Sequence, residues 1–261
     1  MGTYSNVVST VKPINAIRTF IGGVAKDITS AWTFVNGVRK QVFPTTESWT
    51  LVYSKDTAGT DTFNVGWGKY RVEMSAGGGG GGAALGKYIS DSWANSAGAC
   101  GGTGAYGTVD FQYSGNDTLT ITVGGAGVGA TKTNGTAAST SGGNTSLSDT
   151  THGSNFIVLN GGGAAYAHAT NNGDSFAVGT GGTFSTTLGS HNLHNGINGQ
   201  SGNSATGNRT GANTTNPSPY NTVGFGGGWH YNTNNRYSPE FSASNGGVGY
   251  IKIYKSNIYP A

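Results

Sequence analysis

Residues 77–82 are six glycines in a row, and no other feature of the chain constrains its fold as strongly. Glycine brings no side chain to bury and loses more conformational freedom on ordering than any other residue. Such a run is either a flexible linker or a segment whose backbone groups are bonded from several sides. Glycine makes up 48 of the 261 residues, against a usual share of roughly 7%. The pattern recurs at Gly124-Gly125, Gly161-Gly162-Gly163 and Gly226-Gly227-Gly228. A linker would not be interrupted by Phe111, Tyr113, Leu119, Ile121, Phe156, Ile157, Leu159, Phe225 and Trp229. The apolar residues favour order.

An extended helix of three residues per turn makes no internal hydrogen bonds, so its N–H and C=O groups must find partners in neighbouring segments. Only glycine lets such segments approach closely, as in collagen, but a strict Gly-X-Y repeat is absent here and collagen is excluded. The expectation is that Gly77, Gly78, Gly79, Gly80, Gly81, Gly82, Gly124, Gly125, Gly161, Gly162, Gly163, Gly226, Gly227 and Gly228 form a scaffold of packed, polyglycine II-like helices.

Strand patterns surround these runs. Lys69–Met74 alternates, with Tyr70, Val72 and Met74 on one face and Arg71, Glu73 and Ser75 on the other. Residues 49–53, 61–65, 118–123, 155–159 and 249–254 also read as strands. Near the N-terminus, residues 14–21 form one strand pattern, and 31–35 with 38–43 form a hairpin about Asn36-Gly37, the pair that suits a type I′ turn. No convincing amphipathic helix is present. The fold class is mainly β and irregular. A small N-terminal β module over residues 1–45 precedes a glycine-rich domain over residues 46–261, with strands, packed glycine helices and long surface loops. The first module is too short for a good core of its own.

Charge narrows the function. There are 14 Lys and Arg against 11 Asp and Glu, a net +3, and residues 76–235 hold only 8 of these 25 charges. No basic cluster provides a footprint for nucleic acid. No apolar run reaches the roughly 18 residues of a membrane helix, so no membrane insertion is expected. The N-terminus lacks the basic and apolar regions of a secretory signal, which points to synthesis in a cytoplasm.

Motifs for catalysis fail on context. Gly125-Ala126-Gly127-Val128-Gly129-Ala130 follows a strand and fits G-x-G-x-x-A, but residues 131–143 cannot supply the helix that binds pyrophosphate. Gly102–Gly107 fits G-x-G-x-x-G with no strand immediately before it. His191 and His194 lie three apart without a nearby cysteine or carboxylate to complete a metal shell. Asp91, Asp110, Asp117, Asp149 and Asp174 stand singly, whereas a glycosidase needs two carboxylates together. Asp117 and Asp149 read as turn residues that bond their own backbone. Cys100 reads as a small packing residue. No enzyme, metal or cofactor is expected.

Aromatic residues set among Gly, Ser and Asn are more informative. They resemble the anchors of antibody loops, where rigid rings combine with adaptable hydrogen bonding. The candidate receptor-contacting residues are Tyr88, Trp93, Tyr166, His168, Phe184, His191, His194, Tyr220, Trp229, Tyr231 and Tyr237. The alternative is that some of these rings merely cover the glycine scaffold.

Three stretches carry a resemblance. Trp67–Ala76 leading into Gly77–Gly82, then Leu119–Gly127, then Gly246–Tyr254, together resemble the opening, internal and closing segments of the glycine-rich domain of bacteriophage tail-fibre tips. The resemblance spans about residues 47–256. Trp32–Lys40 is similar to a short module common in phage tail proteins. It implies an adhesin at the tail tip of a virion, binding a bacterial surface glycan or outer-membrane protein through variable loops. Residues 1–45 would then contact other tail proteins, and the chain would form a homo-oligomer such as a trimer. A structural virion protein and a capsule depolymerase are the alternatives. The same kind of fold occurs in a few receptor ectodomains, so the fold alone does not fix the function.

Overall fold

The computed structural model describes residues 17–21, 24–28, 31–35, 38–43, 47–82, 86–89, 92–95, 99–132, 137–170, 173–200, 216–217 and 241–258. Strands are the only regular elements among them. In the N-terminal module β1 (Ile17–Ile21) pairs antiparallel with β2 (Val24–Ile28), and β3 (Ala31–Val35) pairs with β4 (Val38–Phe43). Val35 opposes Val38 across the expected hairpin. Asn36 and Gly37 lie outside the described residues.

The strands that follow are β5 (Trp49–Lys55), β6 (Gly59–Val65), β7 (Gly68–Ser75), β8 (Gly86–Ile89), β9 (Ser92–Asn95), β10 (Tyr106–Tyr113) and β11 (Asp117–Val123). Then come β12 (Thr131–Lys132), β13 (Ala137–Ala138), β14 (Thr145–Ser148), β15 (Ile157–Leu159), β16 (Tyr166–Thr170) and β17 (Gly173–Ala177). The last are β18 (Phe184–Thr186), β19 (His191–His194), β20 (Phe241–Ser242) and β21 (Tyr250–Ser256).

Ten of these strands form two antiparallel five-stranded sheets, ordered β19-β10-β7-β21-β5 and β18-β15-β14-β11-β6. Alternation builds the core between them. Tyr70, Val72 and Met74 of β7, Val109, Phe111 and Tyr113 of β10, and Ile251 and Ile253 of β21 come from the first sheet. Leu119, Ile121 and Val123 of β11, with Leu147, Ile157 and Leu159, come from the second. Phe111 and Phe156 meet edge to face across the gap, 5.7 Å between centroids. Ser75 departs from the alternation expected for β7. It is buried rather than outward, because it is the last residue of the strand, where the chain turns into the glycine-rich segment and Thr145 Oγ1 donates to its carbonyl at 3.0 Å.

The edge strand β5 carries a bulge: Tyr53 pairs with Ile253 and Leu51 with Tyr254, leaving Val52 as the extra residue. Leu51 and Val52 are accordingly exposed. A bulge on an edge disrupts the row of backbone groups that another strand would pair with.

Candidate functional site

Eight strands of the sandwich continue directly into extended segments that are neither helix nor strand. These segments are 76–82, 99–105, 124–130, 139–144, 160–165, 178–183, 195–200 and 243–249, adjoining β7, β10, β11, β14, β15, β18, β19 and β21. Their backbones are cross-bonded with a period of three. Ala76, Gly79 and Gly82 donate to the carbonyls of Ala105, Gly102 and Ala99. Gly77 and Gly80 donate to Gly143 and Thr140, while Gly78 and Gly81 donate to Gly247 and Ser244. The carbonyls of the same run accept from two further segments: Gly77 and Gly80 from Gly162 and Ala165, Gly78 and Gly81 from Gly127 and Ala130. One glycine run is therefore bonded to five neighbours. Three residues per turn is the geometry of an extended polyglycine or polyproline helix. Segment 99–105 forms a second centre, bonded also to 160–163, 179–182 and 197–200.

The direction of the donors and acceptors shows that successive segments alternate, one running away from the sandwich and the next returning. No lattice segment contains a charged residue. Asparagine completes the bonding where backbone does not reach. Asn245, Asn144 and Asn198 accept through Oδ1 from the N–H groups of Gly129, Gly161 and Gly181, at 2.8, 3.0 and 2.7 Å. A carboxamide reproduces the acceptor of a peptide bond.

This topology sorts the candidate residues. The chain leaves the far end of the lattice after Gly82, Ala130, Ala165 and Gln200, and returns at Ala99, Ser139, Val178 and Ala243. Those points lie at one level: Gly82 donates to Ala99 at 2.8 Å, Cys100 to Gln200 at 3.0 Å and Ala243 to Ala130 at 2.9 Å. Tyr88 and Trp93 oppose each other in the β8–β9 hairpin, on the first excursion. Tyr166 and His168 lie on β16, on the third, and Tyr166 is exposed. Tyr220, Trp229, Tyr231 and Tyr237 belong to the stretch between Gln200 and Ala243; they and Gly226, Gly227 and Gly228 lie outside the described residues.

Phe184, His191 and His194 are placed elsewhere. They sit on β18 and β19, edge strands of the sandwich. Phe184 and His191 meet at 5.4 Å between ring centroids, and His194 stacks on Tyr106 at 5.2 Å while its Nε2 hydrogen-bonds Asn192 Oδ1 at 3.0 Å.

The opposite end of the sandwich holds both connections to the rest of the chain. Trp49 pairs with Ser256, Asn257 N–H donates to Ser48 C=O at 3.1 Å, and Ser48 N–H donates to Asn257 Oδ1 at 2.8 Å. At this end lies a cluster that sequence reading missed. The side chain of Asp149 is shut off from solvent, and accepts from the Tyr113 hydroxyl and the His152 N–H, with His152 Nδ1 at 2.7 Å. The His152 ring is packed against Phe156, Tyr113 and Phe111 at 4.9, 5.1 and 5.8 Å. Burial, reinforced by the Asp149 carboxylate, pushes the Tyr113 hydroxyl far above its ordinary range, so it stays a donor. The cluster pins the 149–156 turn to the core. Asp149 is thus more than the self-bonding turn residue its sequence context suggests. Nearby Asp117 accepts from the Thr151 hydroxyl and from Thr118 N–H, Thr150 Oγ1 and Thr151 N–H, which hold its carboxyl far below the usual range.

Among the described residues no three His, Cys, Asp or Glu side chains are grouped as metal ligands. Cys100 is buried in the lattice, and burial raises its thiol pKa.

A β-sandwich whose strands run on into a hydrogen-bonded glycine lattice defines a scaffold class, in which chain excursions leave the end of a cross-bonded, uncharged bundle. The family model of a glycine-rich domain matches residues 55–258, and the chain belongs to that family. No curated protein matches it.

Proposed function

We propose that this protein is a receptor-binding adhesin of a bacteriophage tail tip, attached through residues 1–45 and recognising a bacterial surface molecule through loops at the far end of the lattice. The observation that carries this reading is the polarity of the domain. The links to the N-terminal module and the C-terminus leave from one end of the sandwich, while four chain excursions leave the lattice at the other. Binding by preorganised loops costs less entropy than binding by loose ones. Several copies on one particle would add avidity without new contacts.

The test is attachment of the fluorescently labelled chain to a panel of bacterial strains. Trp93→Ala and Trp229→Ala are expected to abolish attachment at least in part while leaving the unfolding midpoint unchanged. Attachment to no strain, or attachment indifferent to both substitutions, refutes the reading. Release of oligosaccharide from cell-surface polysaccharide would replace it with an enzyme.

A further inference from the structure

Asparagine followed by glycine is the sequence at which proteins lose amide nitrogen most readily, since glycine does not hinder the attack. The glycine backbone nitrogen gives up its proton to hydroxide and bonds to the asparagine Cγ. The Cγ–Nδ2 bond breaks and ammonia departs, taking a proton back from water. Water then opens the resulting succinimide to aspartate or isoaspartate. Nothing is oxidised or reduced. Isoaspartate inserts one extra backbone carbon, which a lattice with a strict three-residue period cannot absorb.

The chain contains seven Asn-Gly steps, and four of them, at Asn160, Asn195, Asn198 and Asn245, lie in lattice segments. At each of the four the attacking N–H is already donated. Gly161 donates to Asn144 Oδ1 at 3.0 Å, Gly196 to Gly182 C=O at 2.7 Å, Gly199 to Gly179 C=O at 2.7 Å and Gly246 to Gly127 C=O at 2.9 Å. At three of the four the carboxamide under attack is tied as well. Asn160 Nδ2 donates to Thr183 Oγ1 at 2.8 Å, and the Oδ1 atoms of Asn198 and Asn245 accept from Gly181 and Gly129.

We propose that the lattice chemically shields its own Asn-Gly steps, so that amide loss at Asn160, Asn195, Asn198 and Asn245 is gated by opening of the lattice. Asn198 and Asn245, which complete its hydrogen bonding through Oδ1, would be among its weakest covalent points in an open chain. Reaction requires the N–H to be released and the two groups to turn toward each other. Both happen only in locally opened states, whose populations are small where contacts are dense.

The full chain is incubated in mildly alkaline buffer, native in one arm and unfolded in guanidinium chloride in the other. Conversion at each asparagine is followed by peptide mass spectrometry. The native rate at all four positions is expected to be more than about tenfold below the unfolded rate. A native rate within about tenfold of the unfolded one at any of the four overturns the proposal.

Discussion

Gly124 and Gly125 are neighbours in one run, yet the lattice makes opposite demands on them. A Cβ added to Gly124 would collide with the carbonyl group of Gly143 and the carbonyl oxygen of Asn144, all main-chain atoms. A Cβ added to Gly125 would meet only the Ala58 methyl, at an ordinary 3.5 Å. Gly124→Ala must therefore displace segment 139–144. That segment is held by Gly77 N–H on Gly143 C=O at 3.1 Å and Gly143 N–H on Gly125 C=O at 2.8 Å. Overpacking costs about 1–3 kcal/mol, and each weakened hydrogen bond adds about 0.5–1.5 kcal/mol. The stiffer unfolded chain returns roughly 0.4–1 kcal/mol. The net expectation for Gly124→Ala is a loss of about 3 kcal/mol, or roughly 6–12 °C in the melting midpoint of a domain this size. Gly125→Ala retains only the unfolded-state term and should be neutral or stabilising by up to about 1 kcal/mol. Urea unfolding followed by tryptophan fluorescence measures both. Two variants whose stabilities agree to within about 0.5 kcal/mol would refute the close-packing explanation of the glycine runs.

Tyr113→Phe removes one donor from the buried Asp149 carboxylate, and should cost about 1–3 kcal/mol in the same urea assay; an unchanged midpoint would mean the cluster is not a structural pin. The depressed Asp117 carboxyl favours the folded state above its unfolded pKa, and that contribution is lost as pH falls through the lower folded value. Wild type and Asp117→Asn should therefore differ in stability at neutral pH and converge in acid, and a gap that widens in acid contradicts this assignment. Amide exchange at Gly77–Gly82, where each N–H has a backbone partner, should be as slow as in the core strands; random-coil exchange there would remove the lattice altogether.

The runs at 77–82, 124–125 and 161–163 and the alternation of β7, β11 and β21 were legible because each carries its own physical signal. An unbroken run forces either disorder or bonding on all sides, and alternation marks a half-buried strand. Strand β10 was missed although Val109, Phe111 and Tyr113 alternate, since Gly107 and the flanking Gly-Thr-Gly obscured it. The lattice segments 99–105, 139–144, 178–183, 195–200 and 243–249 were missed for a different reason. They hold shorter or interrupted glycine patterns, such as Gly101, Gly102 and Gly104, or Gly179, Gly181 and Gly182, or Gly196 and Gly199, and an added Cβ at each of these would meet main-chain atoms of a neighbouring segment. The signal in these segments is glycine recurring at short intervals rather than in one unbroken run. Among the candidate site residues, the sequence could not separate His191 and His194 from Tyr166 and His168. All sit in polar surroundings, and only the alternation of segment direction assigns the first pair to the sandwich edge and the second to an excursion from the lattice. The Asp149–His152–Tyr113 cluster joins the turn between β14 and β15 to β10 of the other sheet, and no local pattern announces the Tyr113 contact.

A lattice bonded mainly through its backbone imposes almost no side-chain requirement on the chain that joins its segments. The first excursion illustrates this. Gly82 N–H and Ala99 C=O close its base at 2.8 Å, and both residues are buried beside the central run. Replacing residues 84–97 by a shorter Gly, Ser and Asn sequence leaves that bond and the three-residue register intact. Each halving of a closed loop changes its closure entropy by only about 0.6 kcal/mol. The replaced chain should therefore unfold within about 1 kcal/mol of the parent in urea. On the adhesin reading it should also attach more weakly to cells, because Tyr88 and Trp93 are gone. A loss of more than about 3 kcal/mol would show that the excursion is part of the scaffold rather than carried by it. Undiminished attachment with unchanged stability would remove Tyr88 and Trp93 from the receptor-contacting surface, leaving the recognition to the excursions after Ala165 and Gln200.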